Sequence, residues 1–551
     1  MKKMIIIFLL IFISAGQTLH SSGTHVPLSS REVTINIFFE GYNPKMNTFR
    51  FLKLICFPLY NGVSTAVICG IDSSGKGSVT FPLVIPQEIM LLADGNFAMM
   101  YASPGHTTNV CFDMAAFQAH KQLPVPTAFP LRFSGGFARF NMHFNDLWPK
   151  LMAIIPSDNQ KKMIDSLEQP AYKSYRLTVM QTMLDTLHEF NRKWNTGKDF
   201  HDAMLEYIHY WAAEDLVRYG WLHRQGKPER LSENYLDFLN EIPINNSNAL
   251  VTGKYAAFLR EYLGMWQRQW RYIPVELTDE QLYTFIEADA SPVSEGEKLA
   301  LRIPAKKRSA GQEAMVSKLF SLYEVKYSNF RNNLNMLDSL AKQLPPGIGT
   351  DIMLARIISD YLNQFKQPLS LRNMQLMNCH IGNQDICALV KRDNEQLKHK
   401  LAGTSTDNNE HGEFKLHQEQ LYRKLVAPYS GKVVYIDFWA PWCAPCVSEI
   451  PASKALAKKL KNKDVVFLYI GVECDKNLWE AAVKKMFDSG AHYYADKNES
   501  ILLEAKFNFS GIPRYVLIDK TGKVKDENAP SPGSGAELQG EILDLLEGSG
   551  N

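Results

Sequence analysis

Trp442-Cys443-Ala444-Pro445-Cys446 follows directly on the apolar run Val433-Val434-Tyr435-Ile436-Asp437-Phe438-Trp439-Ala440. The run has the length and composition of a buried strand, and the proline between the cysteines suits the first turn of a helix. Two cysteines three apart at a strand-to-helix junction are the equipment for exchanging a disulfide. A helix start leaves backbone N–H groups unpaired and carries partial positive charge, which stabilises a thiolate on Cys443. Cys446, one turn on, is placed to displace whatever Cys443 has attacked.

Other readings of the pair are weaker. A zinc site needs a second pair of ligands at matching spacing, and downstream there are only Cys474 and His492,. A purely structural bridge across so short a loop removes little chain entropy. No metal or other cofactor is expected, and redox chemistry is the favoured reading.

The flanks carry a family resemblance. Asp437 stands six residues before the first cysteine, and Cys446-Val447-Ser448-Glu449-Ile450-Pro451 continues as C-x-x-E-x-P. Further on come Gly511-Ile512-Pro513-Arg514-Tyr515-Val516-Leu517-Ile518-Asp519 and the turn Lys520-Thr521-Gly522-Lys523. These segments, in this order over about 425–548, resemble the TlpA/ResA-like extracytoplasmic thiol–disulfide oxidoreductases of thioredoxin fold. The long chain in front resembles, loosely, the secreted multidomain form of Bacteroidetes-type bacteria.

Periodicity agrees independently. Val465–Val472 is a continuous apolar run of strand length, as a parallel strand covered on both faces requires,. Leu456 and Leu460 mark a helix before it, and Trp479, Val483 and Phe487 one after it. Tyr515–Ile518 with Val524 makes a hairpin, and Glu537–Leu546 a closing helix. Strand, helix, strand is a βαβ unit.

The resemblance implies roles. Cys443 is the attacking thiolate and Cys446 resolves the mixed disulfide, leaving the pair oxidised. Asp437, buried behind Cys446, is the proton acceptor implied by thioredoxins, and Glu449 is the one implied by the C-x-x-E-x-P form. This chain carries both, so the acceptor stays open between them; the alternative for Glu449 is a solvated first-turn carboxylate. Pro513 is expected to be cis, which turns the Ile512 backbone toward a substrate strand. Trp442 is expected to form an apolar lip beside Cys443, and Trp439 to be core.

The other end addresses location. Met1-Lys2-Lys3 precedes ten apolar residues, Met4–Ile13, and the small residues Ser14-Ala15-Gly16. This reads as a signal peptide over 1–16, too short to span a bilayer. The expectation is a periplasmic or other extracytoplasmic protein with no transmembrane span in its mature chain. Disulfide-containing envelope proteins would be its partners, with a membrane electron donor left unidentified. Six further cysteines, Cys56, Cys69, Cys111, Cys379, Cys387 and Cys474, allow fifteen complete pairings, and none is assigned,. Cys56 with Cys69 and Cys379 with Cys387 are candidate partners; Cys474 reads as a free structural thiol or a third redox cysteine.

The remainder divides in two. Residues 25–130 alternate apolar and polar side chains (Val33, Ile35, Ile37) between Gly- and Pro-rich turns, as in a small β-sandwich,. Residues 136–395 turn helical, with Leu177, Met180, Leu184 and Leu187 at three- and four-residue spacing,. His201 and His209 share such a stretch without an acidic partner for a metal. The polar segment 396–424 is expected to be a linker, ahead of a thioredoxin-like domain over 425–551. The fold class is thus multidomain: β-sandwich-like, then all-α, then α/β.

Composition sets bounds only. A chain of 551 residues accommodates about three domains,. A net charge of +2 with no basic cluster gives no nucleic-acid footprint,. The functional expectation is a protein-disulfide reductase working through Cys443 and Cys446. A disulfide isomerase or oxidase is the second enzymatic reading. From another class, a peptide- or envelope-protein-binding chain with a redox accessory module remains open.

Overall fold

The computed structural model describes residues 28–547 apart from 46, 48, 63–64, 94–95, 121–129, 155–156, 224–228, 270–276, 289–292, 366–367, 370, 402–411, 508 and 510. The stretch read as a signal peptide lies outside the described residues.

Among the described residues eight strands come first: β1 (Arg31–Glu40), β2 (Phe51–Cys56), β3 (Thr65–Gly70), β4 (Lys76–Leu83), β5 (Gln87–Ala93), β6 (Asn96–Ala102), β7 (Thr107–Asp113) and β8 (Leu131–Gly135). They form two four-stranded sheets, ordered β4-β1-β7-β8 and β3-β2-β5-β6. Val33, Ile35, Ile37 and Phe39 alternate inward along β1 and meet Leu52, Leu54, Ile89 and Leu91 of the other sheet in one core. Phe39 stacks on Phe112 with ring centroids 4.5 Å apart. The alternation legible in the sequence therefore buries one face of each sheet.

The β2–β3 register pairs Cys56 with Thr65 and Leu52 with Cys69. Cys56 and Cys69 thus sit at opposite ends of the strand pair, buried and free. Cys379 and Cys387 are also free, the first exposed and the second buried.

Helices then run from Ala138–Ile154 to Gln384–Leu401. Most of their apolar faces share one core that includes Met180, Leu184, Leu187, Ile208, Trp211 and Leu216, while Leu282, Ile286, Leu301 and Leu319 form a smaller separate one. Trp270, within the stretch 136–395 read as helical, lies outside the described residues. His201 Nδ1 lies 3.2 Å from Asp202, and no metal-ligand cluster occurs among the described residues.

The last part is α/β. Strands β9 (Val433–Trp439), β10 (Val465–Gly471), β11 (Ala491–Tyr494), β12 (Arg514–Ile518) and β13 (Val524–Asp526) form a sheet ordered β11-β10-β9-β12-β13. β9, β10 and β11 are parallel, and β12 runs antiparallel to β9. Every residue of β9 is buried, as expected of a central strand covered on both faces,.

One stretch departs from the sequence reading. Within the segment 396–424 expected to be a linker, 396–401 complete the helix Gln384–Leu401, and Gly412–Val426 is a further helix. Leu421, Tyr422, Leu425 and Val426 pack into the core beneath the sheet with Ile436, Phe438 and Leu503. The polar composition there belongs to the wet face of an amphipathic helix, and the apolar positions, three and four apart, are the docking face. Residues 402–411 of that segment lie outside the described ones. Strand β11 and the helix Lys497–Lys506 also go beyond the elements read from periodicity; both are too short to show a clear period.

Candidate functional site

β9 ends at Trp439 and the chain turns through Ala440–Trp442 into the helix Ala444–Lys459. Cys443 is the cap of that helix: the backbone N–H of Cys446 donates to its sulfur at 3.2 Å. Cys443 and Cys446 are disulfide-bonded, with Cα atoms 5.3 Å apart. Both are buried, at 3% and 2% exposure. The pair therefore sits where unpaired helix N–H groups favour a sulfur anion once the bond is opened.

Trp442 stands outside this buried pair at 61% exposure. Its indole N–H donates to the carbonyl of Glu473 at 3.0 Å, which ties the turn to the segment after β10. Trp439, by contrast, is a core residue. The Ile512–Pro513 peptide is cis. Ile512 is half-buried and packs against the cores on both faces of the sheet. Ile512 thus packs on the apolar cluster that contains both cysteines.

Asp437 lies in the middle of β9, 3% exposed, and its Oδ1 has no hydrogen-bond partner among the described residues. Burial pushes its carboxyl up to about 8, and the charge of Glu449 pushes in the same direction. An acid of that strength exchanges protons near neutrality, as a general acid–base group should. Glu449 lies in the second turn of the active-site helix, half-buried. Its Oε2 accepts the backbone N–H of Gly533 at 2.6 Å. Glu449 is therefore held by a distant loop, contrary to the simplest picture of a free first-turn carboxylate.

Three features around the site were not read from the sequence. Gly533 holds Glu449 from 84 residues away. Tyr515, opposite Asp437 in the β9–β12 register, turns a buried hydroxyl into the same region. Glu473, at φ +51°, presents the carbonyl to Trp442. The turn-rich run Ser531-Pro532-Gly533-Ser534-Gly535 signals a loop, but nothing local says where that loop lands. Cys474 is partly buried beside the disulfide's core cluster, and burial pushes its thiol up to about 11. That is the opposite of a reactive thiolate.

A family model described as thioredoxin-like matches residues 431–524. The thiol-disulfide oxidoreductase ResA of Bacillus cereus is 35% identical over 100 residues, 18% of this chain and 54% of the relative. ResA of Geobacillus kaustophilus is 31% identical over 100 residues, 18% of this chain and 56% of the relative. The chain thus spans about half the length of these relatives. A crystal structure of a candidate thiol-disulfide oxidoreductase from Bacteroides vulgatus shares 35% identity over 22% of this chain and 83% of its own, with a TM-score of 0.21. The C-terminal part of this chain is a thioredoxin-like domain related to ResA-type oxidoreductases.

Proposed function

We propose that this chain, whose C-terminal domain is thioredoxin-like, is an extracytoplasmic thiol–disulfide oxidoreductase that reduces disulfides in envelope proteins. The observation that carries the reading is the Cys443–Cys446 disulfide at a helix N-terminus, with the raised acid Asp437 on the adjoining strand. In the dithiol form, the Cys443 thiolate attacks one sulfur of a substrate disulfide, giving a mixed disulfide and a substrate thiolate. Cys446 loses its proton to Asp437 and attacks the Cys443 sulfur. The second substrate thiolate leaves, and two electrons have passed from the dithiol to the substrate. Glu449, held by Gly533, adds negative charge that raises Asp437 further, and is the second candidate to take the Cys446 proton.

Trp442, Ile512 and Pro513 are assigned to the substrate-binding rim. The basic start and apolar run over 1–16 support a place outside the cytoplasm, where the oxidised pair must be reduced again by a donor dithiol. No described helix is long and apolar enough to cross a membrane.

The deciding experiment is the reduction potential of the pair, read by thiol alkylation in dithiothreitol and glutathione buffers. A value near or below the roughly −270 mV of thioredoxin supports a reductant. A value toward the roughly −120 mV of strong oxidants makes it an oxidase or isomerase and overturns the direction of electron flow. Absence of a reversible couple removes the redox reading altogether.

A further inference from the structure

Lys53 belongs to β2 of the strand-rich domain, yet its ammonium ends inside the thioredoxin-like one. It is 2% exposed and pairs with Glu504, on the helix Lys497–Lys506, and with Glu473 at 3.2 Å. Beside it the Arg50 backbone N–H donates to Asn498 Oδ1 at 3.1 Å. Phe51 enters the core cluster that contains Leu502, Phe507 and Phe509. A cation so deeply buried persists only where carboxylates meet it. One cation here serves two acids: their charges outweigh burial and hold Lys53 above its usual value, while burial pushes Glu504 up to about 8.

Glu473 is where this seam meets the redox site. It has a side chain yet adopts φ +51°, a backbone region that a Cβ disfavours,. Three contacts hold it there. Its N–H donates to Ser500 Oγ at 3.3 Å, its carboxylate receives Lys53, and its carbonyl receives the Trp442 indole at 3.0 Å. Release of the carboxylate frees the residue to relax, and the carbonyl turns with it.

We propose that Lys53 is a positioning residue for the redox site: by fixing Glu473 it orients the Trp442 ring beside Cys443. The strand-rich domain thereby sets how a protein disulfide is received. This rests on the reading of Cys443–Cys446 as an exchanging dithiol.

The test uses the full chain with insulin as the protein disulfide and dithiothreitol as the donor. Lys53→Met raises KM for insulin about fivefold, the net worth of one hydrogen bond, with kcat little changed. Glu473→Gln, which leaves the Lys53–Glu504 pair in place, does the same, and Lys53→Arg restores KM. Asn498→Ala, which cuts the seam away from Glu473, leaves KM alone. Lys53→Met combined with Trp442→Phe is no worse than Trp442→Phe. In protein labelled with 5-fluorotryptophan, the ¹⁹F signal of Trp442, assigned through Trp442→Phe, shifts in Lys53→Met and Glu473→Gln. An unmoved signal, an unmoved KM, or an equal effect of Asn498→Ala overturns the proposal. Failure of the wild-type chain to turn over insulin defeats the dithiol reading instead, and the ¹⁹F signal still decides the role of Lys53.

Discussion

Asp437 on β9 and Tyr515 on β12 are direct partners across an antiparallel strand pair, and each ends in a buried oxygen with no protein hydrogen bond among the described residues. Directly opposed residues point to the same face of a sheet, so both oxygens lie on one side. The Tyr515 ring is fixed by stacking on Tyr435, with centroids 5.7 Å apart and planes 9° from parallel. Asp437 can therefore gain or lose a proton at Oδ1 without breaking a protein hydrogen bond.

The first consequence concerns stability. A carboxyl raised from 3.8 to about 8 by burial binds its proton more tightly in the folded state than in the unfolded one. Its contribution is fully favourable below the unfolded value and is lost as pH rises toward 8. Asp437→Asn, neutral at every pH, escapes that loss. The variant is expected to gain on wild type between about pH 4 and 8, by up to about 5 kcal/mol, then level off. Urea midpoints across that range check it.

The same substitution slows chemistry. Without a base behind it, the Cys446 thiol resolves the mixed disulfide poorly, and exchange with a protein disulfide falls roughly a hundredfold or more. A variant that is both more stable and slower separates the proton role from a packing role. Stopped-flow oxidation of the dithiol form measures it.

Glu449 acts on Asp437 through charge. Glu449→Gln removes a negative neighbour, so the pH midpoint of exchange moves below that of wild type. Gly533→Ala is expected to disturb the same acid, because an added Cβ would lie 2.9 Å from Glu449 Oε1. A pH–rate profile that keeps its midpoint in both variants would count against Glu449.

The two cysteines are not equivalent. Cys446→Ser leaves the attacking thiol without its resolver and accumulates a mixed disulfide at Cys443. Cys443→Ser forms no such adduct. Non-reducing gels followed by peptide mass spectrometry distinguish the two, and the reverse pattern would invert the assigned roles.

Gly471 ends β10 against the Trp479 indole, where an added Cβ would fall 2.2 Å from its nitrogen. Gly471→Ala must displace a packed ring and is expected to cost roughly 1–3 kcal/mol. A urea midpoint equal to wild type would show that the ring moves freely.

How much of this was legible beforehand follows from range. β9, the Cys443–Cys446 junction, β10 and the β12–β13 hairpin declare themselves in short windows: an apolar run, a proline in a first turn, a strand with its turn. The inward alternation of β1 did so too. The helix Gly412–Val426 was hidden by its polar face, since its apolar residues have meaning only against the sheet they cover.

Sequence by itself determined the chemistry of the site: two thiols three apart at a helix start, an acid six residues earlier, another three residues later. Those relations are local, fixed by the rise of a strand and the turn of a helix. Tertiary structure alone decided which groups tune them. Gly533 reaches Glu449, Tyr515 faces Asp437, and Lys53 meets Glu473 across 420 residues. Contacts between distant segments depend on how sheets and helices stack, and burial, which raises Asp437, is a property of the packed whole.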